Sequence, residues 1–121
     1  MMQQTSKQIF ASHIYDLTVR PGYYRSTWKL INKKIPLKGA FGHFMGKDFR
    51  VIVIKILFNS NYPENPPKVI STPPIRDVCW DNKGILHWAR WGGEFVWSKY
   101  KDHSNPLVYL ADEITEKYKT M

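Results

Sequence analysis

The stretch YPENPPKVISTPPIRDVCWDNKGILHW, from Tyr62 to Trp88, decides how this chain folds. It opens with three prolines in five residues, Pro63, Pro66 and Pro67. Each removes a backbone donor and fixes φ, so regular structure has to break there. KVIST, Lys68 to Thr72, then reads as a short strand. From Pro73 to Tyr100 all periodicity is lost, and four tryptophans (Trp80, Trp88, Trp91 and Trp97) stand among glycines and charges. This is the pattern of a long ordered loop whose aromatic side chains pack it onto the body, the alternative being a peptide-binding or base-stacking surface. RWGGEF, residues 90–95, is a turn within it and not a phosphate loop, because no strand–loop–helix pattern surrounds it.

Upstream, FRVIVIKILF (Phe49 to Phe58) is the strongest strand in the sequence and is nearly apolar on both faces, as a central strand would be. YYRSTWKLINKKI, residues 23–35, is aromatic and β-branched and is expected to be a strand, with PLKG and GHFMGKD as the turns around it. Residues 3–16 form an amphipathic helix: Ile9, Phe10, His13, Ile14 and Leu17 share a face, and Pro21-Gly22 ends it. Downstream, HSNPLVYLADEITEKYK is a second helix, capped by Asn105 or Ser104, with Pro106 in its first turn. Leu107, Leu110, Ala111 and Ile114 make its buried stripe. The expected architecture is α+β: N-terminal helix, four-stranded antiparallel sheet, long irregular crossover and C-terminal helix, all in one domain spanning residues 1–121.

Composition narrows the function. With 121 residues the chain suits one domain, and 43% hydrophobic with 15% aromatic residues excludes wholesale disorder. A single cysteine, Cys79, excludes an internal disulfide and favours a reducing compartment. The first 20 residues lack an apolar signal core, and the longest apolar run, Val51 to Phe58, is interrupted by Lys55 and too short to span a bilayer. A cytoplasmic protein is therefore expected. The net charge of +8 fits a solvated basic surface first, an anionic membrane surface second, and nucleic acid last, since no nucleic-acid motif is present. His13, His43, His87 and His103 have no paired spacing and one cysteine completes no zinc set, so neither metal nor cofactor is expected.

The order of elements together with YPENPP resembles the ubiquitin-conjugating-enzyme (UBC) fold. That family carries a Tyr-Pro-x-x-Pro-Pro element after its third strand, matched here by Tyr62, Pro63, Pro66 and Pro67. In its active members a His-Pro-Asn segment precedes a glycine, and the nucleophilic cysteine lies three residues beyond that glycine. With Gly84 as the glycine, His87 stands at the cysteine position, and Asp77-Val78-Cys79 replaces His-Pro-Asn. Cys79 falls five residues before the glycine, on the wrong side for that chemistry. It reads as a structural thiol, the alternative being a displaced nucleophile. YDLTVR (Tyr15 to Arg20), FMGKDFRVIVIKILF with Phe44, Gly46 and Phe49, WDNKGILHW and VWSKYKDHSNPLVYL resemble, in that order, the catalytically inactive variant (UEV) domain of the tumour-susceptibility subunit of ESCRT-I.

The resemblance implies a non-enzymatic module that binds ubiquitin or a ubiquitin-like protein, works with other ESCRT-I subunits, and takes a short proline-containing peptide. A peripheral or indirect membrane association is implied as well, and the compact chain would suit a simple, archaeal-type ESCRT system. Ubiquitin would be held by a hairpin tongue, Trp28 to Lys38, through Trp28, Leu30, Asn32, Lys33 and Lys34, and by Ile70, Asp81, Asn82 and Trp88. Phe44 and Phe49 would line the peptide groove; the alternative is that both are core residues. A second functional class stays open: a variant that partners an active conjugating enzyme and orients the acceptor ubiquitin.

Overall fold

A computed structural model describes residues 5–19, 28–34, 36–47, 49–88 and 96–119. In chain order the elements are α1 (Ser6–Val19), β1 (Lys29–Leu30), β2 (Gly39–Met45), β3 (Val51–Leu57), β4 (Lys68–Thr72), α2 (Ser98–Lys101) and α3 (Pro106–Tyr118). The strands form one antiparallel sheet in the order β1-β2-β3-β4, so the α+β expectation holds. Helix α1 packs on β1 and β2, and α3 packs on α1.

Helix α1 begins where its first backbone donors find partners. The Thr5 hydroxyl accepts from the Gln8 N–H at 3.2 Å, and the Gln8 side-chain oxygen accepts from the Thr5 N–H at 2.9 Å. This reciprocal box satisfies two groups that a bare helix end leaves unpaired. The helix therefore starts at Ser6 and runs to Val19, three residues beyond the expected end; Pro21-Gly22 and residues 1–4 lie outside the described residues. Phe10, Ile14 and Leu17, at i, i+4 and i+7, are its buried face.

The sheet corrects two expectations. GHFMGKD is not a turn, because Gly42 to Met45 continue β2, with His43 opposite Val53 and Met45 opposite Val51. Gly42 is present for a packing reason: the Trp28 indole lies across it, and a Cβ there would be 2.6 Å from the ring. The chain reverses later, around Gly46 to Arg50, where the Gly46 N–H donates to the Arg50 carbonyl at 2.8 Å. Nor is β3 buried on both faces. Ile54 and Ile56 are fully buried, while Val51 and Lys55 on the opposite face are exposed, as in an antiparallel sheet covered on one side. Of the first expected strand only Lys29–Leu30 is paired; residues 23–27 and 35 lie outside the described residues.

Beneath the sheet the proline turn plants Tyr62, fully buried, against Phe10 with ring centroids 5.2 Å apart and Trp97 at 5.8 Å. Its hydroxyl is hydrogen-bonded to His13 Nδ1 at 2.7 Å. Burial pushes the Tyr62 phenol far above its usual range, so it stays protonated. Burial also lowers His13, against the opposing pull of Asp16. In α3, Leu107, Leu110, Ala111 and Ile114 are buried as expected. Asn105 occupies the cap position, but its side chain makes no cap bond; its carbonyl accepts from the Tyr109 N–H at 3.1 Å.

Two outcomes are expected. Because His13 binds its proton less readily folded than unfolded, stability is full above its ordinary value of 6.5 and falls as pH drops through that value towards the lowered one. Urea denaturation across this window should show that slope in the parent and a flatter one in His13→Gln; equal slopes contradict the assignment. Gly42→Ala should cost about 1–3 kcal/mol by forcing the Trp28 ring aside, measured in the same way.

Candidate functional site

The chain beyond β4 builds the candidate site on that strand's outer edge. Pro73 and Pro74 end the strand, and the Ser71 hydroxyl accepts from the Ile75 N–H at 2.9 Å. After a turn at Asp77–Trp80 the chain returns as a small hairpin. The His87 N–H donates to the Cys79 carbonyl at 2.8 Å, and the Asp81 N–H to the Ile85 carbonyl at 3.0 Å. Its second arm lies along β4: Ser71 N–H donates to the Gly84 carbonyl at 2.7 Å, and Leu86 N–H to the Val69 carbonyl at 3.0 Å. Ile70 and Ile85 thereby become neighbours on the outward face.

Asp81 organises the hairpin tip. Its Oδ1 accepts from the N–H groups of Lys83 (2.8 Å) and Ile85 (3.0 Å), and its Oδ2 accepts from His87 Nε2 at 2.8 Å. The His87 bond is the largest reason that the Asp81 carboxyl falls to about 2, with the two backbone donors adding to it. Gly84 closes the tip at φ +86°, and a Cβ there would stand 2.2 Å from the Ser71 carbonyl oxygen, so only glycine fits. His87 is exposed beside Asp81, whereas Cys79 is 4% exposed and part of the core.

The tryptophans are mostly structural. Trp97 Nε1 donates to the Pro63 carbonyl at 2.6 Å and Trp88 Nε1 to the Pro67 carbonyl at 3.2 Å, so both indoles clamp the proline turn. Trp80 Nε1 donates to the Tyr118 hydroxyl at 3.1 Å, which donates on to Asp77 Oδ2 at 2.7 Å. Burial and the Asp77 carboxylate together push the Tyr118 phenol up. Trp91 and RWGGEF lie outside the described residues.

The expected ubiquitin-contact residues fall into separate groups. Trp28, 6% exposed, is core, and Leu30 is partly buried against the core. Asn32 staples the tongue loop: its Nδ2 donates to the Lys34 and Pro36 carbonyls at 2.8 and 3.0 Å, and its Oδ1 accepts from Lys38 N–H at 2.7 Å. Lys33 and Lys34 are exposed on that loop, and Ile35 lies outside the described residues. Across the outward face runs a row: Lys29 beside Phe41, Phe41 beside Lys55, Lys55 beside Ile70, Ile70 beside Ile85. The tongue and the Asp81–Trp88 hairpin therefore stand at opposite edges of one face, roughly 19 Å apart at ~4.8 Å per strand.

The expected peptide residues separate too. Phe44 points into the core, while Phe49 is 76% exposed in the β2–β3 turn, with φ +59°. Between the β2–β3 turn and the segment after β4 lies a groove of about 310 Å³, lined by Ile52, Pro73, Pro74, Ile75 and Tyr118 together with Lys47, Arg50 and Arg76. Neither phenylalanine lines it. The doubled proline after β4 was the signal for this groove in the sequence. Among the described residues no cluster of His, Cys, Asp and Glu is arranged to hold a metal ion, and no helix is long and apolar enough to cross a membrane.

Gly84→Ala should cost about 2–4 kcal/mol by breaking the Ser71 rung and straining the tip; a loss below about 0.5 kcal/mol would contradict the geometry. NMR titration of the Asp81 carboxyl should give a midpoint near 2, moving towards 3.8 in His87→Ala; an unmoved midpoint would remove His87 as the cause.

No family model matches the chain, and no curated protein matches it significantly.

Proposed function

We propose that the chain is a UBC-like variant domain that binds ubiquitin without transferring it, as the ubiquitin-reading module of an ESCRT-I-type sorting machinery in the cytoplasm. The observation that supports the non-catalytic part is the burial of the one cysteine, Cys79, at a hairpin whose exposed side chain is His87, tied to Asp81; by the resemblance, His87 takes the place of the thioester cysteine. A nucleophile must reach its electrophile as an exposed thiolate, and Cys79 does not offer one.

Ubiquitin binding is supported by the step formed by Ile70 and Ile85, two half-buried aliphatic side chains that pair on the outward face and do not belong to the core. Ubiquitin offers an apolar patch ringed by basic residues, so this step and Asn82 suit it better than the lysines of the tongue. For a short proline-containing peptide the supporting feature is the groove along Ile52, Pro73, Pro74 and Ile75, whose apolar floor would receive a proline ring. The reading in which the chain orients ubiquitin for an active conjugating enzyme is favoured by one observation. Tyr15 and Val19, a turn apart on α1, are 58% and 57% exposed. Such a partner should co-elute with the chain and be lost in Tyr15→Ala.

Dye-labelled ubiquitin titrated with the chain should show rising fluorescence anisotropy. Ile70→Asp, at a half-exposed position, should weaken the affinity about tenfold or more. Incubation with activating enzyme, ubiquitin and ATP should give no reducible adduct. Unaltered affinity in Ile70→Asp would overturn the assigned surface, and a thioester lost in Cys79→Ser would overturn the non-catalytic reading.

A further inference from the structure

The cations are spread along the chain, but the acids are not. Between Asp16 and Glu64 the sequence holds nine of its eighteen lysines and arginines against one acidic residue, Asp48. That stretch carries the entire net charge of +8, and the remainder of the chain is balanced. Its described residues include β1, β2, β3 and the tongue, and no strand of the sheet contains an acidic residue.

The fold puts five of these nine cations on the outward face and the adjoining tongue loop. Lys29 and Lys55 flank Phe41 on the outward face, at the tongue end of the sheet. Lys33, Lys34 and Lys38 stand on the loop that Asn32 holds in shape. All five are exposed, and among the described residues none of them forms an ion pair. The charged surface is also apolar: Ile31 is 38% exposed on the tongue, and Phe41 and Leu57 are half-buried on the same outward face.

We propose that this tongue face docks on an anionic lipid surface. The mixture selects the occupant. Polyanion backbones are gripped by charge alone and gain little from aliphatic neighbours. A lipid interface takes both, lysines at the headgroups and a few apolar side chains among the upper acyl carbons. All five cations are lysine, the flexible point charge suited to a diffuse anionic layer, where arginine forks would suit fixed phosphates. The Asn32 bonds already hold the tongue loop in shape, so docking orders little of it. The face begins at Lys55, beside Ile70, and runs away from the Ile70–Ile85 step to the tongue; its argument does not depend on the ubiquitin reading.

Sedimentation of the whole chain with vesicles tests the proposal. The chain should sediment with phosphatidylcholine vesicles containing about a third phosphatidylserine and stay in solution with phosphatidylcholine alone. Removing two charges, Lys33→Gln with Lys34→Gln, should lower the partition coefficient roughly thirtyfold, from about 1 kcal/mol per lysine. Ile31→Ser should weaken vesicle binding and leave retention on a heparin column unchanged. These positions are exposed, and circular dichroism is the check that the variants fold. No sedimentation with the anionic vesicles overturns the proposal. Vesicle binding indifferent to Ile31→Ser, with tighter binding to a short DNA duplex, overturns it in favour of nucleic acid. Ubiquitin affinity unchanged in the double lysine variant keeps the two surfaces distinct, whatever the vesicles show.

Discussion

A tyrosine placed under a sheet by a proline turn must find an acceptor for its hydroxyl, and much of this structure follows from how Tyr62 does so. Its hydroxyl pairs with His13 Nδ1, which ties α1 to the turn beneath the sheet. Its ring packs on Phe10 and Trp97, which brings the start of α2 under the same turn. The turn has carbonyls to satisfy as well, and Trp88 and Trp97 supply the N–H groups from the far end of the crossover. A buried polar group left without a partner costs about 1–3 kcal/mol, so this network specifies one arrangement and excludes sliding of the crossover.

With the proline turn clamped, the hairpin beyond β4 can be short and tight. The Asp81–Gly84 tip is held by backbone bonds to the Asp81 carboxylate and by the close approach of Gly84 to Ser71. That geometry keeps Ile85 beside Ile70 and His87 in solvent. Chemistry and recognition are thus separated: no thiol reaches the surface at the hairpin, while a small apolar step does. The basic tongue sits at the opposite edge of the sheet, so one face presents two unlike surfaces.

The sequence made the local features legible. The proline turn, the stripe of α3 and the apolar run of β3 each follow from residues adjacent in the chain, and each lies where expected. The Thr5–Gln8 box is equally local, and it sets the start of α1 at Ser6, later than apolar spacing alone implies. Long-range features were not readable. Gly42 looks like a breaker until the Trp28 ring from the next strand is set upon it, and the same contact moves Trp28 from an expected binding surface into the core. The groove joins Arg50, Pro73 and Tyr118, residues far apart in sequence that meet because Gly46 pairs with Lys119 after α3. Phe44 and Phe49, five apart, end on opposite sides of the boundary between core and solvent, since the turn between them reverses the strand pattern.

The central claim is that the outer edge beyond β4 reads ubiquitin without transferring it. An NMR titration of isotope-labelled chain with unlabelled ubiquitin tests this most directly, because it reports every backbone amide at once. The account predicts shifts gathered at Ile70, Asn82 and Ile85, absent when the apolar patch of ubiquitin is mutated, with little change at Lys33 and Lys34. Shifts confined to the tongue, or none at millimolar ubiquitin, would contradict it.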